Sequence, residues 1–346
     1  MEARAERQSG VELLRILAAM GVIALHYCNP GIGGGFKFVE SGSINSSILL
    51  FIESLYICAV NIFMIISGYF MCRSLKADLK KPIGLLLQLI VFEVVLFLLK
   101  VLAGQGEFSW QQLFITAWPK DYFVIFYSVT YVLAPYINLM LRKLGKQRIR
   151  KLIIVIFLLF SVQPGILWLI KRMTGIDITA ASTITYSGSS EGYTIVNFVM
   201  CYIIGAGIGY EAIKLSKKVL AVLALACVLL IFYYRTWDYC HPLVVVEAAA
   251  FFMLFKELPV QSKIINRLAR ASFTVYLLHR TFVVRAGVKL FVNRSPAIML
   301  GHILAVQISI YLICFVVFII WNLSVGRILD KLWAKFKSPA IVLEPV

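Results

Sequence analysis

Apolar positions along this chain fall into long unbroken blocks, not into residue-by-residue alternation. The blocks run roughly 17–25 residues, the length a helix needs to cross a bilayer. Only helices and closed barrels satisfy their backbone in lipid, and a strand would show period-two alternation, so the pattern predicts helices. They are expected near 11–28, 46–72, 83–103, 121–141, 151–171, 193–210, 218–234, 241–256, 271–290 and 297–325. The fold class is therefore all-α: a polytopic integral membrane bundle of about ten transmembrane helices. The first block, Val11 to Tyr27, is not read as a signal peptide. No small-residue cleavage site follows it, and Arg15 and His26 interrupt it.

Composition sharpens this picture. Hydrophobic residues make up 61% and charged residues 15%, and the mean hydropathy is +0.88. A soluble domain is nearer half apolar and a quarter charged. The net charge of +17 would suit nucleic acid if it were gathered in one patch. Instead the basic residues fall on alternate sides of the expected helices. Arg4 and Arg7 share one side with Arg73, Lys76, Lys80 and Lys81, with the 142–151 segment, with Lys214–Lys218, with Lys256–Arg270 and with Arg327–Lys337. The opposite loops hold scattered cations such as Lys37, Lys120 and Arg235. The positive-inside rule then puts both termini in the cytoplasm, residues 1–10 and 326–346 flanking one membrane domain in a bacterial-type plasma membrane. Nucleic acid is not expected as a partner; membrane lipid is.

Other features are bland. The seven cysteines are scattered without a CxxC pair, so neither a metal site nor a disulfide framework is expected. Gly31–Gly35 follows a helix, not a strand, and is no dinucleotide fingerprint. Gly205 and Gly209 have the small-xxx-small spacing of close helix packing. No internal repeat is visible, which weighs against an inverted-repeat transporter. Three outward loops, 29–47, 104–121 and 174–192, are polar and carry glycine or serine. The third contains Tyr186-Ser187-Gly188-Ser189-Ser190-Glu191.

Ionisable residues inside the apolar blocks carry the candidate chemistry, because each costs several kcal/mol in hydrocarbon unless paired or hydrated. Glu12 and Arg15 are three apart and neighbours on one helix face. Arg15 and His26 are eleven apart, about 1100° of rotation, roughly 20° from three full turns and about 16 Å of rise. They share a face at different depths and are too far apart to bond. That suits a long substrate lying along the helix; it suits equally a cytoplasmic anchor plus a satisfied polar residue. His279, beside Arg280 and one turn after Tyr276, falls near the middle of the ninth expected helix. Glu247 is a mid-helix charge that could partner a basic group. Glu53 and Glu93 read as structural, each open to a partner such as Lys100. His241 and His302 lie near helix ends and read as ordinary.

Several separated segments together resemble the acyltransferase-3 family of integral membrane acyltransferases. They are Arg15 and His26 with ten residues between, preceded by Glu12; Phe63-Met64-Ile65-Ile66-Ser67-Gly68-Tyr69; the basic run with Arg73, Lys80 and Lys81; Asp121-Tyr122-Phe123 through Ala134-Pro135-Tyr136; and Tyr276-Leu277-Leu278-His279. The resemblance implies transfer of an acyl group, commonly acetyl, from acetyl-coenzyme A to a hydroxyl of a polysaccharide or glycolipid, with no metal. It implies His26 as general base, a transient acyl-His26 remaining open, and Arg15 with Glu12 holding the donor's phosphates or polarising its thioester. Ser67, Gly68 and Tyr69 would shape the site, since a glycine lets backbone approach a ligand. Arg73, Lys80, Lys81, Tyr276, His279 and Glu247 would line the donor or acceptor cavity. Lys80 and Lys81 stand where the family usually has arginines, and lysine lacks the planar fork that grips phosphate bidentately. The competing expectation is an exporter of a lipid-linked sugar, which would also need buried charges.

Overall fold

A computed structural model describes residues 8–178, 194–335 and 339–344. Arg4, Arg7, Lys337 and the Tyr186–Glu191 loop lie outside the described residues. The structure is 77% helical, and the strands among the described residues are two three-residue segments. A helix stands at each of the ten expected places, but six stretches among the described residues are long and apolar enough to cross a membrane: Ser9–Cys28, Ile44–Met71, Lys80–Leu102, Tyr122–Thr174, Lys217–Tyr234 and Pro296–Lys335. Six stretches stand against ten expected helices because Tyr122–Thr174 covers two of them, while Ile195–Gly209 and Pro242–Lys256 have 15 residues each and Ser272–Val283 has 12, less than the roughly 20 a full crossing takes; ten spans are not confirmed.

The chain divides into two compact units. The first holds residues 1–72 and 145–322. Its central element is α1, Ser9–Cys28, most of whose side chains are buried. Apolar and small residues fill this helix, and Ser9 ties its start: Ser262 N–H donates to Ser9 Oγ at 3.0 Å, and Ser9 Oγ lies 3.0 Å from Asn266 Oδ1. Around α1 stand α2 (Ile44–Tyr56) and α3 (Ala59–Met71). The run expected as one helix over 46–72 is thus two, separated at Ile57–Cys58.

Further along the chain come α4 (Lys80–Leu102) and α5 (Tyr122–Phe157). The two helices expected at 121–141 and 151–171 run together in α5, which Gly145 breaks with φ 71° and ψ 164°, a conformation open to glycine and strained for other residues. The two units divide there. The path continues through one π turn at Leu158–Val162 into α6 (Gln163–Thr174), then α7 (Ile195–Gly209), α8 (Lys217–Tyr234), α9 (Pro242–Lys256), α10 (Ser272–Val283), α11 (Pro296–Leu323) and α12 (Val325–Lys335).

Lipid tails are as apolar as leucine, so helices in a bilayer associate through close packing and hydrogen bonds. Both are visible where α3 meets α7. A Cβ on Gly68 would lie 2.0 Å from Tyr202 O, and one on Gly205 would lie 2.1 Å from Ile65 O. Two reciprocal gaps therefore bring the backbones together. Beside them, Asn197 Nδ2 donates to Asn61 Oδ1 at 2.9 Å and Asn61 Nδ2 to Tyr239 O at 2.7 Å, all buried. At one end of α7 the chain reverses through Glu211, whose φ is 57°. The Glu211 carboxylate meets Lys146 at 3.1 Å and Lys214 at 3.0 Å. Hydrogen bonds from Lys214 and Lys146 hold it down at about 2.

The second unit holds residues 73–144 and 323–346. β1 (Lys76–Asp78) pairs antiparallel with β2 (Ala340–Val342), Ala77 facing Ile341. The pair closes residues beyond α12 back onto the segment that leads into α4.

Candidate active site

The site begins one turn before the end of α1. His26 Nδ1 lies 3.0 Å from Val22 O, its own helix's carbonyl four residues back. The same nitrogen lies 2.8 Å from Nε2 of His279 on α10. His279 Nδ1 in turn stands 2.7 Å from Tyr276 O and 3.1 Å from Val275 O. The ring centroids are 4.5 Å apart at 55°.

Carbonyl oxygens only accept, so these distances fix the protons. His279 Nδ1 carries N–H, bound to its own helix's carbonyls. In a neutral ring its Nε2 is then an acceptor. His26 Nδ1 also faces a carbonyl and carries N–H, which it shares between Val22 O and His279 Nε2. The remaining nitrogen, His26 Nε2, holds the lone pair. His279 is buried and His26 is half-buried. One imidazole thus orients the other and sets its tautomer, which is how a second group prepares a histidine base. The positive charge of Arg280 reaches both rings. A loop covers this end of α1, with Gly33 N–H donating to His26 O at 2.9 Å.

The other expected residues distribute unequally. Arg15 Nη1 stands 3.7 Å from Glu12 Oε2, Arg15 half-buried and Glu12 buried, so the expected pair is present. Arg15 lies three turns of α1 from His26 and does not touch it. Ser67 Oγ donates to Phe63 O at 2.8 Å, and Tyr69 packs edge-on to Phe252 at 5.1 Å with Lys256 Nζ 5.9 Å above its ring. The gap left by Gly68 is filled by the backbone of α7, so packing accounts for this glycine without a ligand. Glu247 is fully buried, and among the described residues no salt bridge reaches it and neither carboxyl oxygen accepts a hydrogen bond from nitrogen or oxygen. The Cys58 thiol lies against its carboxyl. Thiols, Cys58 just before α3 and Cys227 on α8, stand near it where a cation was expected. Glu53 likewise lies against the Cys28 thiol, and among the described residues neither it nor Glu93 forms a salt bridge. His241 accepts from Leu243 N–H at the start of α9, and His302 lies 3.0 Å from Tyr27 OH and stacks on Phe291. Both read as structural.

Arg73, Lys80 and Lys81 belong to the second unit. Lys80 donates to Trp333 O at 3.2 Å. Lys81 Nζ lies 4.8 Å from the Tyr131 ring centroid and 5.5 Å from that of Tyr127.

The acyltransferase domain family model matches residues 8–326, nearly the whole chain and every residue of the site just described. The chain belongs to the acyltransferase-3 family. It is a membrane acyltransferase, and its several long apolar helices agree with a multi-pass membrane protein. Searches among curated proteins and among solved structures give no significant match. The pairing of His26 with His279 in this acyltransferase was not legible in either motif alone. Each lies near the hydrophobic end of a short segment, and nothing local says that they meet.

Proposed function

We propose that this acyltransferase moves an acyl group, acetyl in the first instance, from acyl-coenzyme A to a hydroxyl of a cell-surface sugar or glycolipid, with His26 as general base. The observation that carries the reading is the histidine pair. It leaves His26 Nε2 as a lone pair on a half-buried ring whose other nitrogen is fixed. An alcohol is a poor nucleophile until a base removes its proton, and imidazole is suited to that near neutral pH. In this scheme Nε2 takes the hydroxyl proton, the hydroxyl oxygen attacks the thioester carbonyl, the C–S bond breaks, and the proton returns to the departing thiolate. His279 positions the base. Arg15, with Glu12 as its orienting partner, meets the donor's charge.

The enzyme is taken to sit in the plasma membrane with both termini cytoplasmic, where the donor is made. The test is acceptor-dependent release of free coenzyme A by purified protein in nanodiscs, with acetyl-coenzyme A and a cell-surface glycan extract. Thiol release that rises with acceptor supports the reading. Wild-type protein that acylates the acceptor only from a donor other than a coenzyme A thioester overturns the donor assignment.

A further inference from the structure

Cations far apart in the sequence gather at the His26 end of α1. The loop that covers this end also carries the first of them. Gly33 N–H donates to His26 O, and Gly34, with φ 85°, leaves the space that the Phe38 ring fills. Phe38 N–H donates back to Gly34 O at 2.9 Å, closing the short helical turn Gly35–Phe38. Two ammoniums stand over that one ring, Lys37 Nζ at 5.5 Å from the centroid and Lys289 Nζ at 5.8 Å. Lys289 belongs to the turn Val288–Phe291 that follows α10. Asn293 fastens the two segments together: its Nδ2 donates to Phe38 O at 2.7 Å, and its Oδ1 accepts from Glu40 N–H at 2.9 Å. Asn45 Nδ2 adds bonds to Val292 O and Arg294 O at 2.8 and 2.7 Å.

The chain does not neutralise this cluster. Segments 29–45 and 280–302 carry Lys37, Arg280, Arg285, Lys289 and Arg294 against a single acid, Glu40. All five cations are exposed, and among the described residues none of Lys37, Arg280, Lys289 and Arg294 forms a salt bridge. Lys37 and Lys289 repel each other at their shared ring, and an aromatic face returns little to a cation at an exposed site. The side opposite the termini is cation-poor as a whole, as the positive-inside rule has it, so topology does not account for a gathering there. Fixed cations beside a reactive group attract an anion and raise its local concentration.

We propose that Lys37 and Lys289 hold an acidic group of the acceptor, so that the sugar acylated here carries a carboxylate or a phosphate within reach of the hydroxyl that His26 deprotonates. This rests on the reading that a sugar hydroxyl approaches His26. It makes acceptor charge the property that these two lysines select, and it leaves donor binding to other residues.

The experiment holds full-length protein in phosphatidylcholine nanodiscs and measures binding of a cell-surface glycan extract that anion exchange has divided into neutral and acidic fractions. Acidic material should bind and neutral material should not. Salt should weaken the binding, since exposed charges are screened over about 8 Å at physiological ionic strength. Lys37→Gln/Lys289→Gln should weaken it by roughly tenfold, the order of one lost charge-assisted bond, and flatten its salt dependence. Lys37→Arg/Lys289→Arg should retain it, which separates charge from folding. The acidic fraction is also split by lipid extraction: binding of lipid-free material puts the anion on the glycan itself, and binding of lipid-extractable material alone puts it on a glycolipid phosphate, either result supporting the proposal. Equal binding of neutral and acidic material, binding of neither, or a glutamine variant that matches wild type would overturn the proposal and leave the acyl-transfer reading intact. Loss of all acidic binding in nanodiscs that contain phosphatidylglycerol would assign the cluster to lipid headgroups and overturn it too. Acidic material that binds through the two lysines but is never acylated from acetyl-coenzyme A would overturn the acyl-transfer reading and leave the anion site.

Discussion

Nδ1 of His26 and Nε2 of His279 stand 2.8 Å apart although 253 positions separate them in the chain. In the proposed mechanism the two rings divide the work of one base. His279 is anchored to the carbonyls of its own helix, so it cannot turn to offer a proton to His26. It can only accept one. That asymmetry makes His26, and not His279, the ring with a free lone pair, and several expectations depend on it.

His26→Ala removes the proposed base. The acyl-transfer rate should fall by roughly 10²–10⁴, the range general-base catalysis supplies, while the affinity for donor stays close to wild type. The pH profile carries a sign. Imidazolium has no lone pair, so turnover should be full where His26 is neutral and fall as pH drops through its titration. Steady-state rates from pH 5 to 9 check this. Near-normal turnover by folded His26→Ala protein would sink the mechanism.

In the proposed mechanism His279 acts through His26. In His279→Ala the His26 N–H keeps Val22 O but loses its second tether, and the ring can swing. A displacement of about 1 Å can cost up to roughly a hundredfold in rate. His279→Gln offers an amide oxygen to the same N–H and should recover much of the loss. The acid limb of the pH profile should move in the alanine variant and return in the glutamine variant. Proportionate loss of rate and of folded protein, with an unmoved profile, would mark His279 as packing only.

Much of this molecule can be read from its sequence, and the limits are physical. The expected helix at 11–28 is found at 9–28, because a continuous apolar run with a serine at its start leaves little choice. Gly205, read as a packing residue, does meet the backbone of α3. Local periodicity gives the face of a helix but not its neighbour. It could not show that Gly68 faces α7 instead of a ligand, that Glu247 meets a thiol instead of a cation, or that two histidines meet. The break between α2 and α3 was also hidden, since no proline or glycine marks Ile57–Cys58 in an otherwise uniform apolar run.

The α3–α7 contact should be sensitive to a single methyl-bearing side chain. Gly205→Val would set a Cβ against Ile65 O, a backbone atom that cannot rotate away. Overpacking of this kind costs about 1–3 kcal/mol, several times the roughly 0.6 kcal/mol average of an interhelical hydrogen bond in a bilayer. Thermal unfolding in detergent should shift down by several degrees. An unchanged transition would mean that the helices separate more easily than their backbone contact implies.

Arg15 should differ in kind from His26. Arg15→Lys keeps the charge and loses the fork, so it should raise the donor KM by roughly tenfold, the order of one lost charge-assisted bond, with kcat little changed. Arg15→Ala should be worse and also lower the folded yield, since buried Glu12 loses its cation. Equal falls in kcat for both variants would place Arg15 at the reacting centre instead.

The last expectation concerns orientation. All seven native cysteines are buried, so the background for an impermeant thiol reagent is low even before they are replaced. Ser41 and Gln147 are both exposed. Ser41 lies in the segment between α1 and α2, on the cation-poor side. Gln147 lies in the basic 142–151 segment, beside Lys146, which is paired with Glu211. The positive-inside rule puts that segment in the cytoplasm. In intact cells, a cysteine at Ser41 should therefore label and one at Gln147 should label only after the membrane is opened. That orientation would put the Arg15 end of α1 on the side where the proposed donor is made and His26, near the other end of α1, towards an acceptor outside. Labelling of Gln147→Cys in intact cells, with Ser41→Cys protected, would invert the topology. The acceptor would then have to be sought in the cytoplasm.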